Sequence, residues 1–185
     1  YTTLFRSLAM RSDGSALTGL GLASQQAARV AIVGRCPQEK SLPIFQETAR
    51  WLDTYFRGRA PFFTPKLTLS GSDFQKRVCE IMLTIPFGKT ITYGEIAAQI
   101  ARERGIPRMS AQAVGGAVGA NPILLIVPCH RVIGAGGNLT GYGAGMERKI
   151  QLLTLEKVDM TSLYVPKKKS LPKKQPLPKN PGPRP

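Results

Sequence analysis

The apolar run at residues 123–127, ILLIV, is the segment that most restricts how this chain can fold. Five consecutive apolar residues predict a strand buried in the core. Pro128 follows directly, and because proline cannot donate a hydrogen bond to a strand ladder, it ends the predicted strand. Cys129 therefore lies at the exit of this strand, which is a place where rigid cores present reactive groups.

Cys129 is followed by His130, the only histidine in 185 residues. The thiolate is the reactive form of cysteine, and a neighbouring base or positive charge increases its population at neutral pH. A free cysteine is also commonly a buried and inert core residue, so the pair alone does not establish catalysis. The position at the end of the predicted strand favours a nucleophile.

The three cysteines, Cys36, Cys79 and Cys129, are widely spaced and contain no CxxC pair. This pattern argues against a disulfide framework and favours a reducing compartment. One histidine and scattered cysteines also lack the spacing of a zinc site, so we expect no metal. The sequence has no run of eighteen apolar residues and no signal-peptide pattern. We expect an intracellular protein without a membrane partner, cytoplasmic or, in a eukaryote, nuclear.

Basic charge is the second strong signal, with a formal net charge of +15 and a pI near 10.3. Residues 166–185 hold seven Lys or Arg, seven Pro and no acidic residue, which predicts an extended, disordered tail. Attraction to polyanions and simple solubility stay equally open as roles for it. Residues 1–165 still carry +8 without the tail, so nucleic acid is a reasonable partner.

Residues 1–65 predict a small α/β domain. Short apolar stretches such as residues 30–33 alternate with turn signals such as the pair at 13–14, which suggests a small sheet. Residues 66–69 are also typical of a strand and form a plausible junction to the second region.

A helix is predicted after Ser41, which can cap it, and Gly58 ends it. Its larger residues recur at helical spacing: Ile44, Phe45, Thr48, Trp51, Leu52, Tyr55 and Phe56. We interpret all of them as core residues with no chemistry implied.

Residues 66–165 predict a mostly helical domain, so the whole chain is predicted to be α+β. Ser72 starts its first helix and Pro86 stops it. One face of this helix is apolar, with Phe74, Val78, Ile81, Met82 and Ile85.

Two further helices follow at short spacing. Thr92 and Glu95 form a T-x-x-E capping box that opens a helix, and Gly105 ends it. Ser110 can cap the next one. Two short helices joined by a tight turn predict a helix-turn-helix.

The helix after Ser110, AQAVGGAVGA at residues 111–120, consists almost entirely of small residues. Adjacent glycines cost helix stability relative to alanine, so another interaction must offset that cost. Close packing inside the protein is one explanation. Close approach to DNA, where small side chains enter a narrow groove, is the other.

Five segments of the chain carry a family resemblance: FQKRV at 74–78, FGKTITYGEIA at 87–97, AVGGAVGANP at 113–122, IVPCHRVIG at 126–134 and LTGYGAGMERKIQLL at 139–153. With them the chain resembles the O6-alkylguanine-DNA alkyltransferases, which move alkyl lesions from DNA onto a cysteine of the protein. The segments occur in the family's order and extend over nearly all of residues 72–157. Residues 1–65 are similar to the family's variable N-terminal domain, which implies a ribonuclease H-like fold.

The resemblance implies that Cys129 is the acceptor, which attacks the alkyl carbon on guanine O6 and ends as a thioether. His130 would act as the base through a water, oriented by Glu156, as in a hydrolase triad. Asn121 resembles the family's hinge asparagine, whose side chain holds the active-site backbone. Tyr93 would donate a proton or a hydrogen bond to guanine N3.

The resemblance also implies a pocket for one base. The carbonyls of Cys129 and Val132 would accept from the guanine amino group, while the loop with Tyr142 and Gly143 would close over the base. Because no duplex exposes guanine O6 to a buried thiol, the nucleotide must flip out of the stack. No phosphate-binding glycine motif is present, so we expect no cofactor. The thioether is not reversed, so each molecule should react once.

Double-stranded DNA is the implied partner, bound through its minor groove by a monomer. The residues expected to contact it are Ser110, Gln112, Ala113, Gly115, Arg108 and Arg131. Gln112 departs from the family, which commonly has an arginine that fills the space left by the flipped base. Glutamine can still intercalate, but it lacks the charge and the planar guanidinium.

Two other functions stay open from the sequence. A non-catalytic binder of alkyl lesions would lack the acceptor, whereas Cys129 is present. A cysteine hydrolase could use Cys129 and His130, but a hydrolase histidine usually comes from a distant segment. Turnover separates these functions, because an alkyltransferase stops at one equivalent, a hydrolase continues and a binder never becomes alkylated.

Overall fold

The chain combines helices with two small sheets in residues 7–23 and 42–166, which the computed structural model describes. The strands are β1 (Leu8–Ser12), β2 (Leu17–Leu22), β3 (Ile91–Thr92) and β4 (Val132–Ile133). The helices are α1 (Pro43–Phe56), α2 (Asp73–Leu83), α3 (Tyr93–Glu103), α4 (Ala111–Gly119) and α5 (Met146–Leu155). The predicted mixture of α and β structure is confirmed.

Strands β1 and β2 form an antiparallel hairpin in which Leu8 pairs with Leu22. Its turn is built at Asp13, whose Oδ1 accepts from the amides of Ser15 and Ala16, both at 2.8 Å. This confirms the predicted turn. The apolar stretch at 30–33 lies outside the described residues, and the ribonuclease H-like form of the domain stays a prediction.

Helix α1 follows the predicted apolar spacing. It buries Ile44, Thr48, Trp51, Leu52 and Tyr55, and Gly58 follows its end with a φ of +70°. The predicted cap was wrong, because Leu42 holds the N-cap position and Pro43 is the first helical residue. Proline is well suited to this place, since its missing N–H has no helical partner there.

Helix α3 begins at the capping box that the sequence predicts, and α2 begins after Ser72 as predicted, with a capping box to Gln75 as well. Ser72 and Gln75 exchange side-chain and backbone hydrogen bonds at α2, and Thr92 and Glu95 do the same at α3. Each box satisfies two amides that the first helical turn leaves without partners. Gly105, with a φ of +62°, follows the end of α3 as predicted.

Ser110 caps α4, as its Oγ accepts from the Ala113 amide at 3.3 Å. The buried face of α4 consists of Val114, Ala117 and Val118 and packs against α2 and α3. The opposite face of the helix points away from the core.

The predicted strand at residues 123–127 was wrong. Only Ile123 pairs with β2, through a single bridge to Leu20, and the chain then turns back on itself. The Val127 amide donates to the Ile123 carbonyl at 3.1 Å, and Leu125 adopts a φ of +70°. A continuous apolar run indicates burial, and a tight buried turn satisfies that as well as a strand does.

One hydrophobic cluster extends across the described chain and includes residues on both sides of the predicted boundary at 65. It contains, among others, Leu20, Trp51, Ile81, Ile100, Val118 and Leu152. The predicted strand at 66–69 is reduced to one bridge between Leu67 and Leu17. The domain limits, 1–65 and 66–165, stay predictions, and nearly all of the tail at 166–185 lies outside the described residues. In the described ranges, no helix has the length and apolar character needed to cross a membrane.

Candidate active site around Cys129

Cys129 lies in a 3-10 turn, Cys129–Arg131, that leads into β4. Cys129 is only 4% exposed, so its thiol is shielded from water. The Cys129 Sγ accepts a hydrogen bond from Asn121 Nδ2 at 3.2 Å. The cysteine thus follows the buried turn at 123–127, and not a strand end as the sequence predicts.

Asn121 holds that turn in place. Its Nδ2 donates to the carbonyls of Val127 at 2.8 Å and Ile123 at 3.3 Å, and its Oδ1 accepts from the Ile123 amide at 3.0 Å. A single buried amide therefore satisfies backbone groups at both ends of the turn. This geometry agrees with the hinge role that the resemblance implies.

His130 and Glu156 form a buried pair. The His130 Nε2 lies 2.7 Å from Glu156 Oε1, and both residues are almost fully buried. A carboxylate can only accept, so Nε2 carries the proton and Nδ1 has the free lone pair. Within the described residues, Nδ1 has no hydrogen-bond partner. It is therefore the nitrogen that is available as a base.

Glu156 accepts five hydrogen bonds. Oε1 accepts from His130, from Tyr55 Oη at 2.6 Å and from Arg131 Nη2 at 3.0 Å. Oε2 accepts from Arg131 Nε at 2.8 Å and from the Gly88 amide at 3.1 Å. Burial acts to raise the pKa of Glu156, but the hydrogen bonds from His130 and Arg131 outweigh it and lower this pKa to about 2. The residue is a carboxylate at neutral pH.

Arg131 was predicted to contact DNA, and its surroundings do not suit that role. It is 8% exposed, and its guanidinium is taken up by Glu156 and by the Ile85 carbonyl, 2.7 Å from Nη1. Its Cζ also lies 5.7 Å from the centre of the Phe87 ring. Arg131 thus orients Glu156 from inside the protein.

Cys129 and His130 are both neutral at rest. Burial raises the pKa of the Cys129 thiol, against the Asn121 hydrogen bond and the Lys149 charge, which lower it. Burial also lowers the pKa of His130, against the hydrogen bond to Glu156, which raises it. The resting site therefore pairs a thiol with a neutral imidazole, and a thiolate has to be formed within the site by proton transfer.

Lys149 and Tyr55 are site residues that the sequence reasoning missed. Lys149 is fully buried, and its Nζ donates to the carbonyls of Val132 at 2.6 Å and Thr140 at 3.0 Å. Burial lowers the pKa of Lys149 to about 8. Tyr55 was interpreted as core only, because its helical spacing fits a core residue and says nothing of its hydroxyl group.

The residues expected to bind the base border this site. Tyr93 Oη donates to the Thr140 carbonyl at 3.2 Å, and burial raises the pKa of Tyr93. The Tyr142 ring lies 6.3 Å from the His130 ring, edge to face. Gly143, the next residue, is exposed. The Val132 carbonyl, a predicted acceptor for guanine, already accepts from Lys149 and has a second lone pair.

The predicted DNA contacts on and before α4 are mostly exposed: Arg108, Ser110, Gln112 and Ala113. Gly115 is half-buried, and a Cβ there would lie 3.8 Å from the Tyr93 ring. A Cβ at Gly116 or Gly119 would meet no heavy atom of the described residues within 4 Å, apart from the helix's own backbone. Internal packing therefore does not explain these two glycines.

Together the contacts define a class of protein: a buried cysteine beside a hydrogen-bonded histidine–glutamate pair, with a helix of small residues that exposes one face. Comparisons with known proteins agree. Residues 73–158 match the family model described as 6-O-methylguanine DNA methyltransferase, DNA binding domain. A methylated-DNA–protein-cysteine methyltransferase of Mycobacterium leprae is 47% identical over 150 residues, which cover 81% of this chain and 86% of the relative. The chain belongs to the methylated-DNA–protein-cysteine methyltransferase family.

Solved structures show the same relationship. The crystal structure of Mycobacterium tuberculosis OGT in complex with DNA has a TM-score of 0.67 and 45% identity, covering 81% of this chain and 86% of that one. An O6-methylguanine DNA methyltransferase from Methanococcus jannaschii has a TM-score of 0.60 and 27% identity, covering 85% of this chain and 92% of that one. The arrangement of helices and small sheets is therefore that of the family.

Proposed function

We propose that this protein repairs DNA by transferring the alkyl group of O6-alkylguanine irreversibly to Cys129. The observation that carries this proposal is the buried Cys129 thiol beside the hydrogen-bonded His130–Glu156 pair, in a chain of this family. His130 Nδ1 has its lone pair free, and Glu156 fixes the ring through Nε2.

The transfer balances without a cofactor. His130 takes the thiol proton through a water, and the Cys129 sulfur attacks the alkyl carbon. The new S–C bond forms as the C–O6 bond breaks, and its electron pair stays on the guanine. The guanine then needs one proton, which is the number that the thiol has lost. The stable thioether leaves no acceptor, so each molecule acts once.

DNA is held, in this proposal, by α3 and α4 acting as a helix-turn-helix, with α4 in the minor groove. The exposed small face of α4 supports this placement, since Gly116 and Gly119 leave room outside the protein. Arg108 is exposed just before the helix and can reach a phosphate. A monomer with a net charge of +15 would gain much of its affinity by releasing counterions from duplex DNA.

The lesion reaches the thiol after the nucleotide flips out, with Gln112 entering the stack in its place. Tyr93, Tyr142 and Gly143 would surround the flipped base, and the Val132 carbonyl would accept from its amino group. The support is their position around Cys129 and His130. O6-alkylguanine is the proposed substrate, and O4-alkylthymine is a second lesion that the same pocket could be tested with.

Counting the guanines restored per protein tests this function. The protein is incubated with increasing excess of a duplex that holds one O6-methylguanine, and the nucleosides are separated after digestion. Restoration that stops at one guanine per protein supports suicidal transfer. Continued restoration would indicate a hydrolase, and lesion binding without restoration would indicate a binder.

A further inference from the structure

Tyr55 connects α1 to the catalytic pair, although it lies 75 residues before His130 and 101 before Glu156. Its side chain is fully buried. Its Oη donates to Glu156 Oε1 at 2.6 Å and lies 3.1 Å from His130 Nε2. The Tyr55 hydroxyl group thus lies within hydrogen-bond distance of both His130 and Glu156, although the sequence predicts only a core role for this residue.

The ring of Tyr55 is fixed by aromatic neighbours. Trp51 stacks on it with 5.2 Å between ring centres, and Phe87 meets it edge to face at 5.9 Å. The His130 ring also meets it edge to face, at 6.2 Å. These contacts leave the hydroxyl little freedom, so its hydrogen bond to Glu156 is set by packing.

Glu156 Oε1 is shared among three donors, which come from His130, Tyr55 and Arg131. A carboxylate offers about four lone-pair sites in all, and Glu156 already meets five donors. Tyr55 and His130 therefore compete for one oxygen. A donor that takes part of this oxygen weakens its pull on the imidazole proton.

We propose that Tyr55 is a positioning residue for alkyl transfer, which shares Glu156 Oε1 with His130 and so keeps the imidazole oriented and its Nδ1 unprotonated. This inference rests on the proposed function. It also gives α1 a part in the chemistry, since the active site is incomplete without a side chain from the first 65 residues. The titratable and charged groups around His130 are Glu156, Arg131, Lys149, Cys129, Tyr55 and Tyr142.

Tyr55→Phe tests the inference, because it removes the hydroxyl and keeps the ring contacts. Single-turnover transfer from an O6-methylguanine duplex is measured at several DNA concentrations between about pH 5 and 9. We expect the maximal rate constant to fall roughly 3- to 10-fold, which is the factor that one hydrogen bond typically contributes. The DNA concentration at half-maximal rate should not change. Tyr164→Phe, at a half-exposed tyrosine outside the site, is the matched control and should leave both values unchanged.

The pH profile separates positioning from packing. Without the Tyr55 hydroxyl, Glu156 pulls more strongly on the His130 proton, so the pKa of His130 should rise and the acid limb of the profile should move up by about half a pH unit. Because His130 is the only histidine, its imidazole NMR signals need no assignment and report this change directly. Replacing Tyr55 with 3-fluorotyrosine keeps the ring and strengthens the donor, and should shift the limb the opposite way.

Three results would decide the matter. An unchanged rate and an unchanged His130 titration in Tyr55→Phe would overturn the inference while the wild-type protein still transfers methyl groups. A wild-type protein that transfers nothing would overturn the proposed function itself. If Tyr55→Phe does not fold, the 3-fluorotyrosine protein decides alone, and an acid limb that stays in place would overturn the inference.

Discussion

The interior of the active site and the exposed face of α4 differ in how many contacts their residues make within the protein. Around Glu156, five donors from the chain meet one carboxylate. On α4, Gly116 and Gly119 have open space where a side chain would be. The first region is determined by contacts inside the protein, and the proposed function assigns the second to contact with DNA outside it. Substitutions in the active site should therefore lower the transfer rate and the stability of the protein, whereas substitutions on the exposed face of α4 should lower DNA affinity.

Glu156→Gln should have the largest effect. The amide cannot accept all five donors, and it leaves the Arg131 charge buried without a counter-ion, which costs about 3–5 kcal/mol of unfolding free energy. Transfer should slow by roughly 100-fold or more, because the histidine loses its orienting partner. Urea unfolding and single-turnover rates measure the two effects. Glu103→Gln, at an exposed pair with Arg77, is the control and should leave the transfer rate unchanged.

Acid should lower the free energy of unfolding in two stages, through His130 and then through Glu156. The pKa of Glu156 is lower in the folded chain, at about 2, than its ordinary value of 4.5, so its stabilisation is complete above pH 4.5 and is lost towards pH 2. The pKa of His130 is also lowered from 6.5, so stability already begins to fall below that pH. Urea midpoints across pH 3 to 7 measure this loss. A wild-type protein and a Glu156→Gln variant with parallel curves below pH 4.5 would contradict the assignment.

Gly116→Ala should separate stability from binding on α4. Alanine favours a helix over glycine by about 0.5–1 kcal/mol, and the new methyl group meets no neighbour. The variant should therefore unfold at a higher temperature and bind duplex DNA several-fold more weakly. Thermal unfolding and fluorescence anisotropy test both parts on one sample. Unchanged DNA affinity would show that this face lies away from the DNA.

Gln112→Arg should have the smallest effect. A guanidinium adds one charge near the DNA, so the slope of log K against log salt should steepen by about one. Transfer should speed up by roughly two- to fivefold, since a planar, charged group supports the flipped state better than an amide does. Equal transfer rates in both proteins would mean that Gln112 does not limit flipping.

The sequence predicts best those features of the fold that depend on residues close together in the chain. The capping box at Thr92, the helix start at Ser72, the cap at Ser110 and the stop at Gly105 depend on side chains within a few positions, and the structure has each of them. The family motif also predicts the His130–Glu156 pair, although 26 residues separate the two.

Residues whose role depends on distant contacts were missed or misplaced. The apolar run at 123–127 correctly predicts burial. Its turn is held by hydrogen bonds from the Asn121 side chain, which the periodicity of the run does not indicate. Tyr55 and Lys149 are buried polar residues whose partners lie far away in sequence, so no local pattern marks them. Arg131 was expected to contact DNA on the strength of the family resemblance, whereas Glu156 neutralises it inside the protein.

The site of alkylation tests the account most directly. The protein is incubated with an O6-methylguanine duplex, and its intact mass and peptide map are recorded beside Cys79→Ala and Cys129→Ala. Burial raises the pKa of the second described cysteine, Cys79, to about 11, so it should stay unmodified. We predict a gain of about one methylene on the Cys129 peptide in the wild type and in Cys79→Ala, and none in Cys129→Ala. A methyl group on any other residue, or one retained in Cys129→Ala, would contradict the account.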